Sequence, residues 1–553
     1  MKRKSNLQKL HDDGVMYLTE YVEKLDIRQR QILFMNCIKI VDKTYFDSVF
    51  STNEQTVQFC VDILRFAYPV LVEYLYTEKF EELIGTALCR LTEESLQECR
   101  TFLSACKLVG WSAFFLELEK LNVISVSDFF NRSKIKFAQK QRHIEFIESI
   151  YVDYYEKIVC SQLEQDSRYT RIVANREDVI ERMKTQCFVW LDHYIGYNGD
   201  QVVEDYFNDL AYIDSIHNTE WDMYSENVPF GNVTYGSLVG NIVDFAGYAI
   251  KHFYYTQILK SQHPELLTEN LFYLIKPKSN LLNLIAESHN ITDSQAETII
   301  ECLSLSCHNV ELYRNTQASC APLIKISKDQ YIHSCAGSLY HPFLFLLDNI
   351  SFLFPKECSA NRNNREEVFR KQLYDMFSNK FLCINHPVKI KKQNKEITDI
   401  DAVIVDKTTG EIAFFQLKWQ DHINLSPKTL LSKSKNYKEK ATKWVHDIRG
   451  WIEDSTEKEI ADRLGLKPKY INKNNIYLFV LGRRHGNYTG FIPDNANCAW
   501  VQWYHLLNYI LRTSPSNISI SKMHNDLILE SPYNIETPNK PITYRYGKYR
   551  FTI

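Results

Sequence analysis

Apolar positions recur at helical spacing through the first two-thirds of the chain. Stretches 57–77, 93–107, 135–158 and 178–194 each put hydrophobic residues on one face and predict helices. Residues 280–306 read as two helices around His289-Asn-Ile-Thr-Asp293, with Thr292 or Asp293 able to cap the second. That second helix has no basic residue, so the pair reads as a structural helical hairpin rather than a DNA-reading one. At 322–334 the period falls to two, and a β-hairpin is expected with Lys328-Asp-Gln330 at its turn.

The period changes more fully after residue 364. A helix is expected over 364–377, with Phe369, Leu373, Met376 and Phe377 as its apolar stripe. At 3.6 residues per turn Glu366 falls within that stripe and Glu367 lies well off it. A first strand is expected over 381–391. Two further apolar runs, 397–406 and 411–419, are joined by Lys407-Thr-Thr-Gly410, where Gly410 can take a positive φ. Residues 432–454 then predict a helix and 475–482 a strand. The tail, 544–553, alternates aromatic and basic residues, the pattern of an edge strand guarded by charge, which could also stack bases. The expected class is α+β and multidomain. Residues 1–260 form a mainly helical region, 261–355 a connecting helical hairpin and β-hairpin, 356–512 an α/β domain, and 513–553 a tail.

A chain of 553 residues is long enough for several domains. Its net charge is only −3, but the charge is unevenly spread. Residues 361–512 hold 26 Lys/Arg against 17 Asp/Glu, a net of +9, while residues 1–360 hold 34 against 48, a net of −14. A positive segment is the footprint of a phosphate-backbone partner. From 185 to 250 there is no Lys or Arg, while ten Asp/Glu occur. Such a stretch repels nucleic acid and suits a packed acidic region, a protein-facing surface or a cover for the basic domain. The densest basic run, 428–443, carries Lys433, Lys435, Lys438, Lys440 and Lys443. On a helix it forms a broadly basic face and not a sharp groove, and these lysines are the candidate substrate contacts.

The 14 cysteines are scattered singly, with no Cys-x-x-Cys and no spacing for a zinc site. Residues 1–13 have no apolar core for a signal peptide. The longest apolar run, 343–354, is too short to span a bilayer, so no membrane is expected and the location reads as cytoplasmic. There is no P-loop, nucleophile elbow or HExxH helix, hence no motor or ATPase motif.

The chemistry concentrates in the two joined strands. Gln416 and Lys418 are two apart and share a face, while Phe415 and Leu417 face packing. In an antiparallel hairpin Asp401 can meet the Gln416/Lys418 pair at one end. Asp401 offers a carboxylate, Gln416 an amide oxygen and Lys418 an ammonium. Hard oxygen ligands suit Mg²⁺, and the ammonium suits the charge of a phosphodiester transition state. Asp…Gln-x-Lys on a hairpin resembles the PD-(D/E)XK nuclease superfamily, in the Gln-x-Lys form similar to its Mrr-like restriction endonuclease branch. The resemblance covers about residues 356–512.

The resemblance implies a restriction-endonuclease-like core with a mixed sheet flanked by helices. It also implies an acidic residue on the first helix, here Glu366 with Glu367 as the alternative. Asp401, Gln416 and Glu366 would then hold Mg²⁺, or Mn²⁺ in its place, with Lys418 completing the catalytic set. The implied function is a metal-dependent endonuclease, with DNA ahead of RNA as substrate, in prokaryotic restriction or anti-phage defence. Two features depart from the family pattern: Gln416 replaces the usual acid, and no Pro precedes Asp401. The first keeps a second reading open, a catalytically inactive nuclease fold that binds nucleic acid or scaffolds a complex. A third reading makes the acidic helical region the working surface, for a protein partner or for self-association.

Overall fold

The computed structural model describes residues 4–86, 89–137, 139–163, 165–218, 221–315, 319–362, 365–392, 395–420, 426–484, 498–514, 517–532, 543–546 and 548–552. Among these the chain is mostly helical, with several small sheets. The largest sheet has five strands in the order Phe381–Ile384, Ala402–Asp406, Ile412–Lys418, Ile476–Gly482, Ala499–Gln502. The first three are antiparallel to their neighbours, and the last two are added in parallel.

The strand Ile412–Lys418 is central and covered on both faces, which is why it reads as an almost unbroken apolar run. Its even positions, Ile412 and Phe414, join Val403 and Val405 in a core with Tyr437, Ala441, Trp444 and Ile448 of the helix Pro427–Asp454. Its odd positions, Ala413, Phe415 and Leu417, join Ala402 and Ile404 in a second core. Phe369 and Leu373 of the helix Arg365–Asp375 enter that core, with residues from the helices Trp503–Thr513 and Ile520–Leu529. Helices therefore sandwich the sheet, and strand alternation decides which side chain meets which layer.

The hairpin turn is fixed by Asp406. Gly410 takes φ +73°, and its amide donates to the Asp406 carbonyl at 2.9 Å. The Asp406 carboxylate accepts from the Thr408 and Thr409 amides at 2.8 and 3.2 Å and pairs with Lys380 at 2.8 Å. Burial opposes its ionisation, but Lys380 and the Thr408 and Thr409 groups prevail and bring it down to about 2.

Several expectations change. The strand expected over 381–391 is two: Phe381–Ile384 joins the sheet, and Val388–Lys392 pairs instead with Lys395–Ile400 in a separate ribbon. Pro387, which lacks an N–H, stands between them. The run 397–406 is likewise divided: Lys395–Ile400 lies in the ribbon, Ala402–Asp406 in the sheet, and Asp401 at the junction. Asn364, the expected start of the next helix, lies outside the described residues.

In the first part, 57–77 resolves into Glu54–Asp62, a π turn Ile63–Ala67 and Tyr68–Leu75, with Pro69 at the start of the last. The helix expected over 93–107 runs on to Lys120. Ile135 belongs to a strand, Arg132–Phe137, and the helix begins at Gln139. The helix expected over 178–194 is Ser167–Gln186, followed by the strand Cys187–Trp190. The helices Lys278–His289 and Asp293–Leu303 form as expected, the second with a Thr292/Gln295 capping box. The hairpin Leu323–Lys325 with Gln330–His333 also forms.

Cores cross the expected divisions of the chain. One unites Leu18 through Val109 with Leu305 through Phe345, and another unites Met223 through Phe245 with Leu281 through Cys358. Tyr155, Ile158, Val159, Leu163 and Ile213 pack into the core under the five-stranded sheet. The C-terminal strands Thr543–Tyr546 and Tyr549–Thr552 complete a sheet with Ile124–Phe129 and Arg132–Phe137. There the tail's rings are used for packing, with Tyr544, Tyr546 and Phe551 around Trp111. Among the described residues one helix, Glu93–Lys120, is long and apolar enough to cross a membrane, and it buries Leu96, Phe102, Leu103 and Val109 within the fold.

Asp406 gives a direct test of the hairpin. Its folded pKa lies below the unfolded value of about 4, so its contribution is present above that pH and is lost as pH falls toward about 2. Asp406→Ala is expected to cost about 1–3 kcal/mol at pH 7, with the gap to wild type narrowing below pH 4 in thermal melts. A variant as stable as wild type at pH 7 would show that the turn is held by other contacts.

Candidate active site

Asp401 leaves the ribbon and enters the sheet by donating its amide to the Phe415 carbonyl at 3.0 Å. Its side chain takes the face of Val403 and Val405, which is also the face of Gln416 and Lys418. The Gln416 side-chain amide donates to Asp401 Oδ2, and the Leu417 backbone amide donates to the same oxygen at 2.7 Å. Asp401 is 3 % exposed and Gln416 6 %. Lys418 ends the strand and is only partly buried. The expected convergence of the three residues is therefore present.

Glu366 is placed differently from its expected inward position. It lies in the first turn of the helix Arg365–Asp375 and is exposed, as is Glu367. Phe369 and Leu373 of that helix are buried as expected, and Arg370 donates its Nε–H to the Asp401 carbonyl oxygen. This anchors the helix against the Asp401 junction. Glu366, with Asp399, is close enough for its charge to raise the Asp401 carboxyl. Of the two glutamates, Glu366 is thus the one tied electrostatically to the site.

Asp401 is raised to about 7. Burial is the largest cause. The Lys418 ammonium opposes it, Glu366 and Asp399 reinforce it, and the Leu417 amide opposes it again. A carboxylate so placed gains from a cation. Asp401, Glu366 and the Gln416 amide offer hard oxygens, and Mg²⁺ is commonly held by one or two carboxylates while keeping several waters. Gln416 presents nitrogen to Asp401, where its oxygen was expected at a cation. A half-turn of the amide exchanges the two atoms at equal shape. Among the described residues no group of three or more His, Cys, Asp or Glu is gathered for a metal. Asp401 and Gln416 are in hydrogen-bond contact, and Glu366, exposed on the neighbouring helix, is linked to Asp401 by its charge.

The basic run forms the first half of the helix Pro427–Asp454, capped by the Ser426 hydroxyl. Trp444 donates its indole N–H to the Asp399 carbonyl at 2.6 Å, so this helix covers the site's own face of the sheet. Lys435, Lys438, Lys440 and Lys443 are exposed, and Lys433 is partly buried. Lys435 lies 3.9 Å from Glu439, and Lys443 is paired with Asp447 at 2.8 Å. The surface is broadly basic, as expected, and tempered by its own acids.

Sequence reasoning passed over Arg370, Arg483 and Arg484, all buried around this end of the sheet. An Arg-Arg pair directly after the apolar run 475–482 was the available signal for the last two. No family model, no curated protein and no solved structure matches the chain.

The raised Asp401 carboxyl has a consequence for stability. Its folded value of about 7 lies above the unfolded value of about 4. The cost of holding it charged is therefore absent below about pH 4, grows between there and 7, and is full above. Asp401→Asn is expected to stabilise the metal-free protein at pH 8 by on the order of 1–3 kcal/mol, with the gain fading toward pH 4. Melting curves in EDTA at the two pH values check this, and an Asn variant less stable than wild type at pH 8 contradicts it.

Proposed function

We propose that the chain is a metal-dependent nuclease of the PD-(D/E)XK type that hydrolyses phosphodiester bonds of nucleic acid, with DNA preferred to RNA. The observation that carries this reading is the meeting of Asp401, Gln416 and Lys418 on one face at one end of a hairpin, with Glu366 bearing on Asp401. The surrounding order supports it: a helix, an antiparallel three-strand unit, a helix, then two strands added in parallel.

Each residue has a task in this reading. The Leu417 amide and the Gln416 side chain hold Asp401 Oδ2, which leaves Oδ1 for a cation. Glu366 would approach from the helix, and with a cation bound Gln416 would exchange its bond to Oδ2 for one from its oxygen to the metal, leaving the Leu417 amide on Oδ2. Mg²⁺, or Mn²⁺ in its place, would supply a Lewis acid and a water of lowered pKa. Lys418, partly exposed at the strand end, faces incoming phosphate and offsets charge that develops on it. The lysines of the helix Pro427–Asp454 attract the backbone without reading sequence. A role in prokaryotic restriction or anti-phage defence follows from the likeness to restriction enzymes and belongs to the proposal.

The test is digestion of supercoiled plasmid and of single-stranded RNA with Mg²⁺ or Mn²⁺ by purified wild type, Asp401→Ala and Lys418→Ala. Wild type should nick or linearise the plasmid, and each variant should be slower by about 10²-fold or more with unchanged circular dichroism. Asp401→Ala cleaving at the wild-type rate would overturn the assignment. DNA binding by a wild-type protein that leaves plasmid and RNA intact would favour the inactive-module reading.

A further inference from the structure

The sheet that joins residues 124–137 to the C-terminal strands has the order Ile124–Phe129, Arg132–Phe137, Tyr549–Thr552, Thr543–Tyr546. Strand alternation gives it two unlike faces. The inner face carries Ile124, Ile135, Tyr549 and Phe551, buried in one core with Trp111. The outer face carries five cations, Arg132, Lys134, Lys136, Arg545 and Arg550, all exposed. Its other positions are Phe129 and the hydroxyl residues Ser125, Ser127, Thr543 and Thr552. No acidic residue of the sheet shares that face. Asp128 lies on the inner side, where it accepts from the Ser133 hydroxyl at 2.6 Å and the Asn6 amide at 2.8 Å. None of the five cations forms an ion pair among the described residues.

Register lines three of these charges up. Arg132 is the partner of Arg550, and Arg550 of Arg545, so a row of three arginines crosses three adjacent strands. At about 4.8 Å between strands the row is about 10 Å long. Lys134 and Lys136 continue from Arg132 along its own strand, in steps of about 7 Å. Like charges set directly opposite one another work against strand pairing. Protection of a sheet edge does not account for them, because Arg132–Phe137 and Tyr549–Thr552 are the two inner strands. We propose that this face binds the sugar–phosphate backbone of duplex DNA. The surface contains none of the residues of the site at Asp401 and goes beyond the nuclease reading, with which it shares only the partner.

A polyanion is the partner that a cationic face without acids complements. Guanidiniums grip phosphate oxygens in a fixed fork, lysines add point charges, and the hydroxyls of Ser125, Ser127 and Thr543 are further donors to phosphate. A duplex offers one negative charge per about 1.7 Å of its axis, dense enough to engage cations spread over about 10 Å by 13 Å. Single strands are held largely by stacking on aromatic rings. Here the rings of the C-terminal strands turn the other way, with Tyr544, Tyr546 and Phe551 packed on Trp111. A membrane-surface binder buries a broad apolar face. The exposed rings beside this face, Phe129 and Phe130, stand only at the tip of the hairpin 124–137. Contacts to phosphate alone carry no sequence information, so the binding is general. Leu431, near the start of the helix that bears the basic run, packs into the same core as Ile135 and Phe551. The face and the basic run are therefore carried by one packed unit.

The test scores binding, not cleavage. Fluorescence anisotropy in EDTA, at several salt concentrations, would follow a labelled oligonucleotide duplex with the full-length chain. Wild type is compared with a variant joining Arg132→Gln, Arg545→Gln and Arg550→Gln, and with a variant joining Lys134→Gln and Lys136→Gln. A control joins Lys24→Gln, Lys79→Gln and Lys458→Gln, three exposed lysines outside this sheet. The arginine variant is expected to bind about ten-fold or more weaker at low salt, whatever the duplex sequence, with a salt slope shallower by about two to three. The lysine variant should lose less, with a slope shallower by about one to two, and the control should stay within about two-fold of wild type. Removing the opposed charges should leave the melting temperature unchanged or higher, which separates lost binding from lost folding. Should the arginine variant melt lower, the lysine variant decides by the same criteria. Duplex binding that is indifferent to these substitutions, or a control that loses as much, overturns the surface. A loss seen only with a single-stranded oligonucleotide, or only with phosphatidylserine vesicles, overturns it too. Duplex binding that needs this face, in a protein that cleaves nothing, keeps the surface and tells against the nuclease reading. Mg²⁺-dependent cleavage with binding indifferent to the face does the reverse.

Discussion

A carboxylate only 3 % exposed to solvent has to be protonated, paired or bound to a cation, and Asp401 is such a group. Much of the local architecture answers that constraint. The central strand Ile412–Lys418 delivers the Leu417 amide and the Gln416 side chain to one carboxylate oxygen. The helix Arg365–Asp375 braces the Asp401 carbonyl through Arg370 and brings the Glu366 charge near. Lys418 alone among these neighbours is a cation on the same face, and its charge does not bring Asp401 back to the ordinary carboxylate range. The arrangement holds a destabilised acid in place, a common property of sites built to act on charged substrates.

The part of the chain before residue 356 is structurally joined to the sheet. Tyr155, Ile158 and Ile213 help fill the core beneath it, and the C-terminal strands return to pair with Arg132–Phe137. Helix Ile520–Leu529 also belongs to that core, so the folded unit continues past residue 512. The acidic stretch 185–250 contributes Asp222 directly to the arginines at the sheet end.

The sheet's centre was legible in the sequence because two short runs of β-branched and aromatic residues flank a turn-forming Asp406-to-Gly410 segment. The break at Asp401 was concealed because 397–406 holds no Gly or Pro to mark it, although the segment passes through two different sheets. Glu366 shows the limit of helical phase: its position on the wheel points inward, but it sits in the first turn of its helix and is exposed. The hairpin 124–137 was missed because its second strand, ending at Phe137, is followed almost at once by the helix that begins at Gln139. The Asp222 contacts join residues more than 250 positions apart, and no local pattern records such a pairing.

The central claim is that Asp401 is kept for a cation. Titration of Mn²⁺ into metal-free protein, followed by electron paramagnetic resonance at pH 8 and pH 6, addresses it without requiring a substrate. The account predicts one bound ion, weaker binding at pH 6 because protons compete for a carboxyl near 7, and at least about a ten-fold loss of affinity in Asp401→Asn. An Asp401→Asn protein that binds Mn²⁺ as well as wild type at both pH values would contradict it.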